Sequence, residues 1–184
     1  MTTVVVAEKP SVARDLARVL GAGERGEGFF SGSGYTVTWA VGHLVALAEP
    51  DGMRPEWRAW RPDLLPMLPA SWSLVVLPRT QEQFEVVSRL VNDPATRELV
   101  CATDAGREGE LIFRYIYEAA RCQKPVKRLW ISSLTPEAIR EGFQRIQEQK
   151  RYDALASAAK GRSRADWLVS AAVPGGWKVA DTSQ

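Results

Sequence analysis

CATDAGREGELIF, residues 101–113, is the stretch on which the fold turns. An apolar run leads into Asp104, glycine follows at 106, and Arg107-Glu108-Gly109-Glu110 opens a segment with apolar residues at Leu111, Ile112, Tyr115, Ile116 and Ala119. That spacing predicts a helix with one inward stripe. A buried strand therefore runs straight into a helix, and the charges crowd the junction. Packing has no need of charge there; chemistry at a strand end does.

Working outward, the strand is ELVCATD, residues 98–104. Val4–Val6, an unbroken apolar run ending at Ala7-Glu8, reads as a second strand buried on both faces. Lys9-Pro10 breaks it, and Ser11 is the expected cap of a helix whose Val12, Leu16, Val19 and Leu20 share a face. GAGERGEGFFSGSG (21–34) is glycine-rich and predicts loop. YTVTWAVGHLVAL (35–47) predicts one or two strands with a bend at Gly42. Residues 49–73 hold five of the eleven prolines and no clean period, and are expected to be irregular.

LVVLP (74–78) is strand-like, and Phe84, Val87, Leu90 and Val91 give helical spacing. VKRLWIS (126–132) predicts another strand. Thr135-Pro136 caps a helix that turns Ile139, Phe143 and Ile146 inward, and a last helix is expected from about Tyr152 to Val169. Alternating strands and helices predict an α/β domain with a mainly parallel sheet flanked by helices.

The 184 residues suffice for one substantial core. With 45% hydrophobic and 25% charged residues, the composition is that of a globular protein. A net charge of +2 permits a nucleic-acid partner without demanding one. Cys101 and Cys122 lack metal-site spacing, and Cys101 reads as a small buried hydrophobe. The start MTTVVVAEKPS enters a strand at once, and no apolar run approaches 18 residues. Both features predict a cytoplasmic chain without a membrane partner.

In open parallel sheets, ligands bind beyond the carboxyl ends of the strands. Glu8 and Asp104 both lie at such ends, and on neighbouring strands their carboxylates would converge. Two hard oxygen donors suit Mg²⁺, which keeps several waters and often holds a phosphate. Glu108, in the first helical turn, can reach the same place. Arg107 can grip phosphate with two prongs, and Lys9 can act as a point charge. The plain alternative, that acids at a helix start only complement its dipole, stays open on the residues alone.

The order of motifs adds to this reading. AEKPSVARDLARVL, VTWAVGHLVALAEP, WRPDLLPMLP, ATDAGREGELIFRYIY and KRLWISSLTPEAIREGF occur in succession. Together they resemble the Toprim domain that begins type IA DNA topoisomerases, the topoisomerase III branch above all, over roughly residues 3–169. The resemblance implies a Toprim sheet with a Mg²⁺ site, in an enzyme that cleaves, passes and reseals a single DNA strand. It implies metal and leaving-group chemistry at Glu8, scissile-phosphate contact at Lys9, and Mg²⁺ at Asp104. Trp60 and Trp167 fall where the family brings the chain near DNA, beside Arg107.

Two departures qualify it. Gly106 stands where many Toprim proteins carry a second aspartate, so weak Mg²⁺ affinity is expected. His43, in GHL, is expected to make a structural hydrogen bond behind the site. After RADWLV the text SAAVPGGWKVADTSQ departs from the family pattern. Residues 1–150 are thus expected to form the Toprim domain, 151–170 a helix leading toward an absent domain, and 171–184 an unmatched tail. The family's nucleophilic tyrosine belongs to a later domain, so the resemblance implies a portion inactive alone. Two other functions fit the residues: a free-standing Toprim metal-dependent nuclease, and a non-catalytic DNA-binding module.

Overall fold

The computed structural model describes residues 1–172. Its centre is β1 (Thr2–Ala7), which lies between two parallel partners, β4 (Tyr35–Trp39) and β7 (Thr96–Ala102). Successive side chains of a strand point to opposite faces. Val4 and Val6 accordingly enter one core with Leu99 and Cys101, and Val5 and Ala7 enter the other with Val37, Val100 and Ala102. Helices α1 (Pro10–Leu20) and α5 (Pro136–Gln144) contribute to the second core. The first is covered by α3 (Gln81–Asn92) and α4 (Arg107–Ala119), with α6 (Asp153–Ala171) packed outside α4. The expected mainly parallel α/β sheet is the observed one, with β8 (Val126–Arg128) continuing it beside β7.

Both edges differ from expectation. The glycine-rich segment after α1 is not loop but a hairpin, β2 (Glu24–Gly26) and β3 (Phe29–Gly32), antiparallel to each other and to β4. Ser33 and Gly34, at φ 50° and 81°, form the two-residue turn into β4. Positive φ at both central positions matches the twist of paired strands, so these residues set register rather than break structure. At the other edge β9 (Gln147–Glu148) pairs antiparallel with β8, unannounced by any apolar alternation. The sheet order is β2-β3-β4-β1-β7-β8-β9.

Three local expectations change as well. Ser11 is not the cap of α1: the residue before a proline avoids helical geometry, so Lys9 stays extended (φ −139°) and Pro10 starts the helix. The strand expected over 126–132 stops at Arg128. A Cβ on Gly142 would lie 2.5 Å from the Ile131 side chain and 2.8 Å from that of Leu129, so the chain leans onto α5 there instead of extending the ladder. Thr135 does cap α5, its hydroxyl accepting from the Ala138 N–H at 3.3 Å.

Gly42 bends the chain at φ 77°, and beyond it β5 (Val45–Leu47) pairs with β6 (Leu74–Val76) in a separate ribbon. Residues 50–64 form α2 (Pro50–Met53) and one-turn 3-10 segments at Pro55–Arg58 and Pro62–Leu64, each opening on a proline. This excursion is held by a cluster of Trp57, Met67, Trp167 and Ala171, with Trp60 and Trp72 partly buried against it. Trp167 donates its indole N–H to the Ala48 carbonyl at 2.8 Å. The last helix is therefore integral to the unit. The expected tail, from 173 onward, lies outside the described residues.

Because Trp167 anchors the excursion, Trp167→Ala is expected to cost about 3–5 kcal/mol, the usual range for emptying a buried aromatic site. Urea unfolding followed by tryptophan fluorescence measures it; a change below about 1 kcal/mol contradicts the anchoring role.

Candidate active site at the carboxyl edge of the sheet

Ala7 of β1 and Ala102 of β7 are register partners, so the residues that follow each strand emerge side by side. Glu8 and Asp104 are thereby brought together: the Asp104 backbone N–H donates to Glu8 Oε2 at 3.0 Å. Lys9 is exposed at the start of α1, and Arg107 is exposed at the first position of α4. Sequence reasoning placed these four at one edge, and the strand register explains why.

The loop between β7 and α4 is held from below. Thr103 donates its hydroxyl to the Gly109 carbonyl at 2.7 Å. A Cβ at Gly109 would fall 2.2 Å from the Asp104 carbonyl oxygen, so only glycine lets the helix approach this closely. Gly106, by contrast, is extended at φ −178° with open space around it, and no glycine requirement exists there.

Arg128, at the end of β8, is 0% exposed. Its guanidinium donates to the carbonyls of Thr103 and Asp104 at 2.7 Å each, of Leu129 at 3.0 Å and of Cys101 at 3.1 Å. Its charge is balanced by Glu110, also 0% exposed, whose Oε2 lies 3.3 Å from Arg128 Nε without hydrogen-bond alignment. Glu110 Oε1 in turn accepts from Arg114 at 2.9 Å and Gln149 at 2.5 Å, and Arg114 reaches Asp153 at 2.7 Å. Sequence reasoning missed this network. Its one signal is a charged i, i+4 pair, Glu110 and Arg114, set among the apolar residues of α4.

Glu8 is only 8% exposed, and its carboxyl is held above the ordinary glutamate value. Burial is the main cause, offset by the Asp104 N–H and by Lys9, and reinforced by the negative charges of Asp104 and Glu108. The edge is short of positive charge close to Glu8. Glu108 contacts His43 Nε2, so the expected structural bond of His43 is made directly to a residue of the site. His43, Arg107 and Glu108 line a cavity of about 210 Å³ with Leu111, Ala159, Arg162, Ser163 and Asp166.

The two tryptophans lie elsewhere. Trp167, 8% exposed, packs against Trp57 and edge-on to Trp72 at 5.3 Å, which gives it a place in the core. Trp60 is half-buried at the margin of that cluster, with its indole N–H unpaired.

Comparison with known proteins decides the family. The Toprim domain matches residues 3–134. The chain belongs to the Toprim family. This Toprim chain is 52% identical over 165 residues to a DNA topoisomerase 3 of Shouchella clausii, covering 90% of the chain and 23% of that protein. Against the DNA topoisomerase 3 of Bacillus subtilis it is 51% identical over 167 residues, 91% of the chain and 23% of that protein. The chain thus spans about a quarter of the length of these relatives. The full-length topoisomerase I of Thermotoga maritima shares the fold, with a TM-score of 0.53 and 24% identity over 79% of this chain and 21% of that one.

Two outcomes are expected from the geometry. Arg128→Met leaves buried Glu110 with Arg114 as its one cation and costs about 3–5 kcal/mol, whereas Arg128→Met with Glu110→Leu recovers much of it; a chemical-denaturation cycle reads the difference. Because the folded state holds Glu8 protonated above the ordinary glutamate range, it binds more protons than the unfolded chain in that window. Metal-free stability therefore falls as pH rises from the ordinary glutamate value through the raised one. Glu8→Gln removes this slope in melting curves recorded against pH; an unchanged slope rules Glu8 out as its source.

Proposed function

We propose that this Toprim chain supplies the metal- and phosphate-handling half of a topoisomerase III-like type IA active site, acting on single-stranded or negatively supercoiled DNA. The observation that carries the reading is the meeting of Glu8 and Asp104 at adjacent strand ends beside exposed Lys9 and Arg107. The relatives named DNA topoisomerase 3 support it.

The donor set fits Mg²⁺. Glu8 and Asp104 offer hard oxygens, and among the described residues no group of three or more His, Cys, Asp or Glu could hold a metal ion. Two carboxylates that leave room for waters and a phosphate are what Mg²⁺ favours. In this reading Glu8 and Asp104 hold the ion, which when bound neutralises charge developing on the phosphate. When Asp104 alone keeps the ion, Glu8, its proton affinity raised by burial, can hand a proton to the departing sugar oxygen. Lys9 sets an ammonium against the scissile phosphate. Arg107, with the cavity beside it, orients the strand, and Trp60 stands at the outer margin.

The tyrosines do not complete the site. Tyr115 donates to Ser163, Tyr117 to the Lys124 carbonyl, Tyr152 stacks on Trp130, and Tyr35 packs on Phe143. Burial pushes the phenols of Tyr115 and Tyr117 up, away from the nucleophilic phenolate. We accordingly assign the nucleophilic role to none of the four tyrosines of this sequence. For the location of the reaction, the only structural bearing is that no helix among the described residues is long and apolar enough to cross a membrane.

The test is a Mg²⁺ titration monitored by thermal unfolding. Wild type is expected to gain stability with Mg²⁺, as any ligand of the folded state requires, and Glu8→Gln/Asp104→Asn to gain none. Equal gains in both defeat the assignment. If wild type alone nicks single-stranded DNA with Mg²⁺ and the double variant does not, the nuclease reading replaces this one.

A further inference from the structure

The outer surface of α4 carries cations that the carboxylate edge does not use. Two cavities, of about 320 and 500 Å³, share Arg114, Tyr117 and Gln123 and so form one continuous groove. Lys124 and Lys150 line the first stretch, Arg121 and Lys160 the second, and Glu118 is the one acid lining either. Two of the cations are matched: Arg114 by Glu110 and Asp153, and Lys160 by Glu118 at 2.5 Å. Three are not. Lys124 donates to the Asp93 backbone carbonyl, which carries no charge, and among the described residues Arg121, Lys124 and Lys150 have no carboxylate partner.

These three come from two segments: Arg121 and Lys124 from the loop between α4 and β8, and Lys150 from the 3-10 turn Gln149–Tyr152 before α6. Arg121 alone can be read as complementing the carboxyl end of α4 through the helix dipole. The meeting of Lys124 and Lys150 on the same groove is not explained that way. Residues 123–125 precede β8 and Val126 begins it, so the groove lies toward the amino edge of the sheet, away from Glu8 and Asp104.

We infer that this groove is a second, metal-independent binding site for the phosphate backbone of a single nucleic-acid strand. From Arg114 to the end of α4 at Ala119 the helical rise gives about 7.5 Å, room for about two neighbouring phosphates of an extended strand rather than one isolated anion. Recognition is by charge and is indifferent to sequence, as phosphate contacts are. The site goes beyond the function proposed for the carboxylate edge and does not depend on it.

The experiment is fluorescence anisotropy of the full chain with labelled oligothymidylate in EDTA, over a series of salt concentrations. Arg121→Glu/Lys150→Glu is expected to weaken binding about tenfold and to flatten the log–log salt slope by about 1.4, two single-strand contacts at ~0.7 each. The charge-matched variant Arg18→Glu/Arg25→Glu, on the opposite face and far edge of the sheet, is expected to change the slope by less than half as much. Equal losses in the two variants overturn the groove, as does wild-type affinity in the first. Displacement of the oligonucleotide by inorganic phosphate at matched ionic strength also overturns it, in favour of a single-anion site. Glu8→Gln/Asp104→Asn in the same assay keeps the two sites apart: undiminished binding supports the groove, and loss confined to that variant overturns it while leaving the carboxylate edge intact. Circular dichroism of each variant confirms that it is folded.

Discussion

One buried cation governs the geometry of the site. Arg128 gathers the carbonyls of Cys101, Thr103 and Asp104, the last turn of chain before α4 begins. The Cys101 carbonyl also accepts from the Leu129 N–H and the Asp104 carbonyl from the Gly106 N–H, and each carbonyl oxygen has a second lone pair to satisfy. A guanidinium answers several at once, which a lysine ammonium cannot do in a fixed plane. The charge then requires Glu110, and Glu110 requires Arg114 and Gln149. Asp104 is thus positioned by a chain of obligations that runs from the sheet through two helices.

That arrangement separates two kinds of acid. Glu110 is fully buried, saturated by cations and spent on structure. Glu8 is nearly as buried but faces two other carboxylates, with Lys9 its nearest relief. One carboxylate lies among cations; the other, raised by burial and facing further acids, is left short of positive charge. The same side-chain chemistry serves support at Glu110 and, in the function we propose, reactivity at Glu8, and environment decides which.

The sheet and its acidic strand ends were legible because buried strands write themselves as apolar runs, and an acid ending such a run is conspicuous. Glu8, Lys9, Asp104 and Arg107 followed from that. The Ser33-Gly34 turn was not legible, since glycine in a hairpin and glycine in a loop look alike until the strands pair. Arg128 was not, because an arginine in KRLW gives no sign of pointing inward. Trp167 reads two ways for the reverse reason: an aromatic suited to stacking on a base is equally suited to filling a core, and here it lies in one.

The two edge strands have one more effect. A seven-stranded sheet that ended on a long apolar strand would offer its unpaired backbone to any similar chain. Here one margin is Glu24-Arg25-Gly26 and the other is Gln147-Glu148, three residues and two, polar or charged throughout. Neither gives a template long enough to recruit a new strand. The hairpin and the small terminal ladder thus act as closures, keeping a strongly β-forming centre from polymerising edge to edge while it folds.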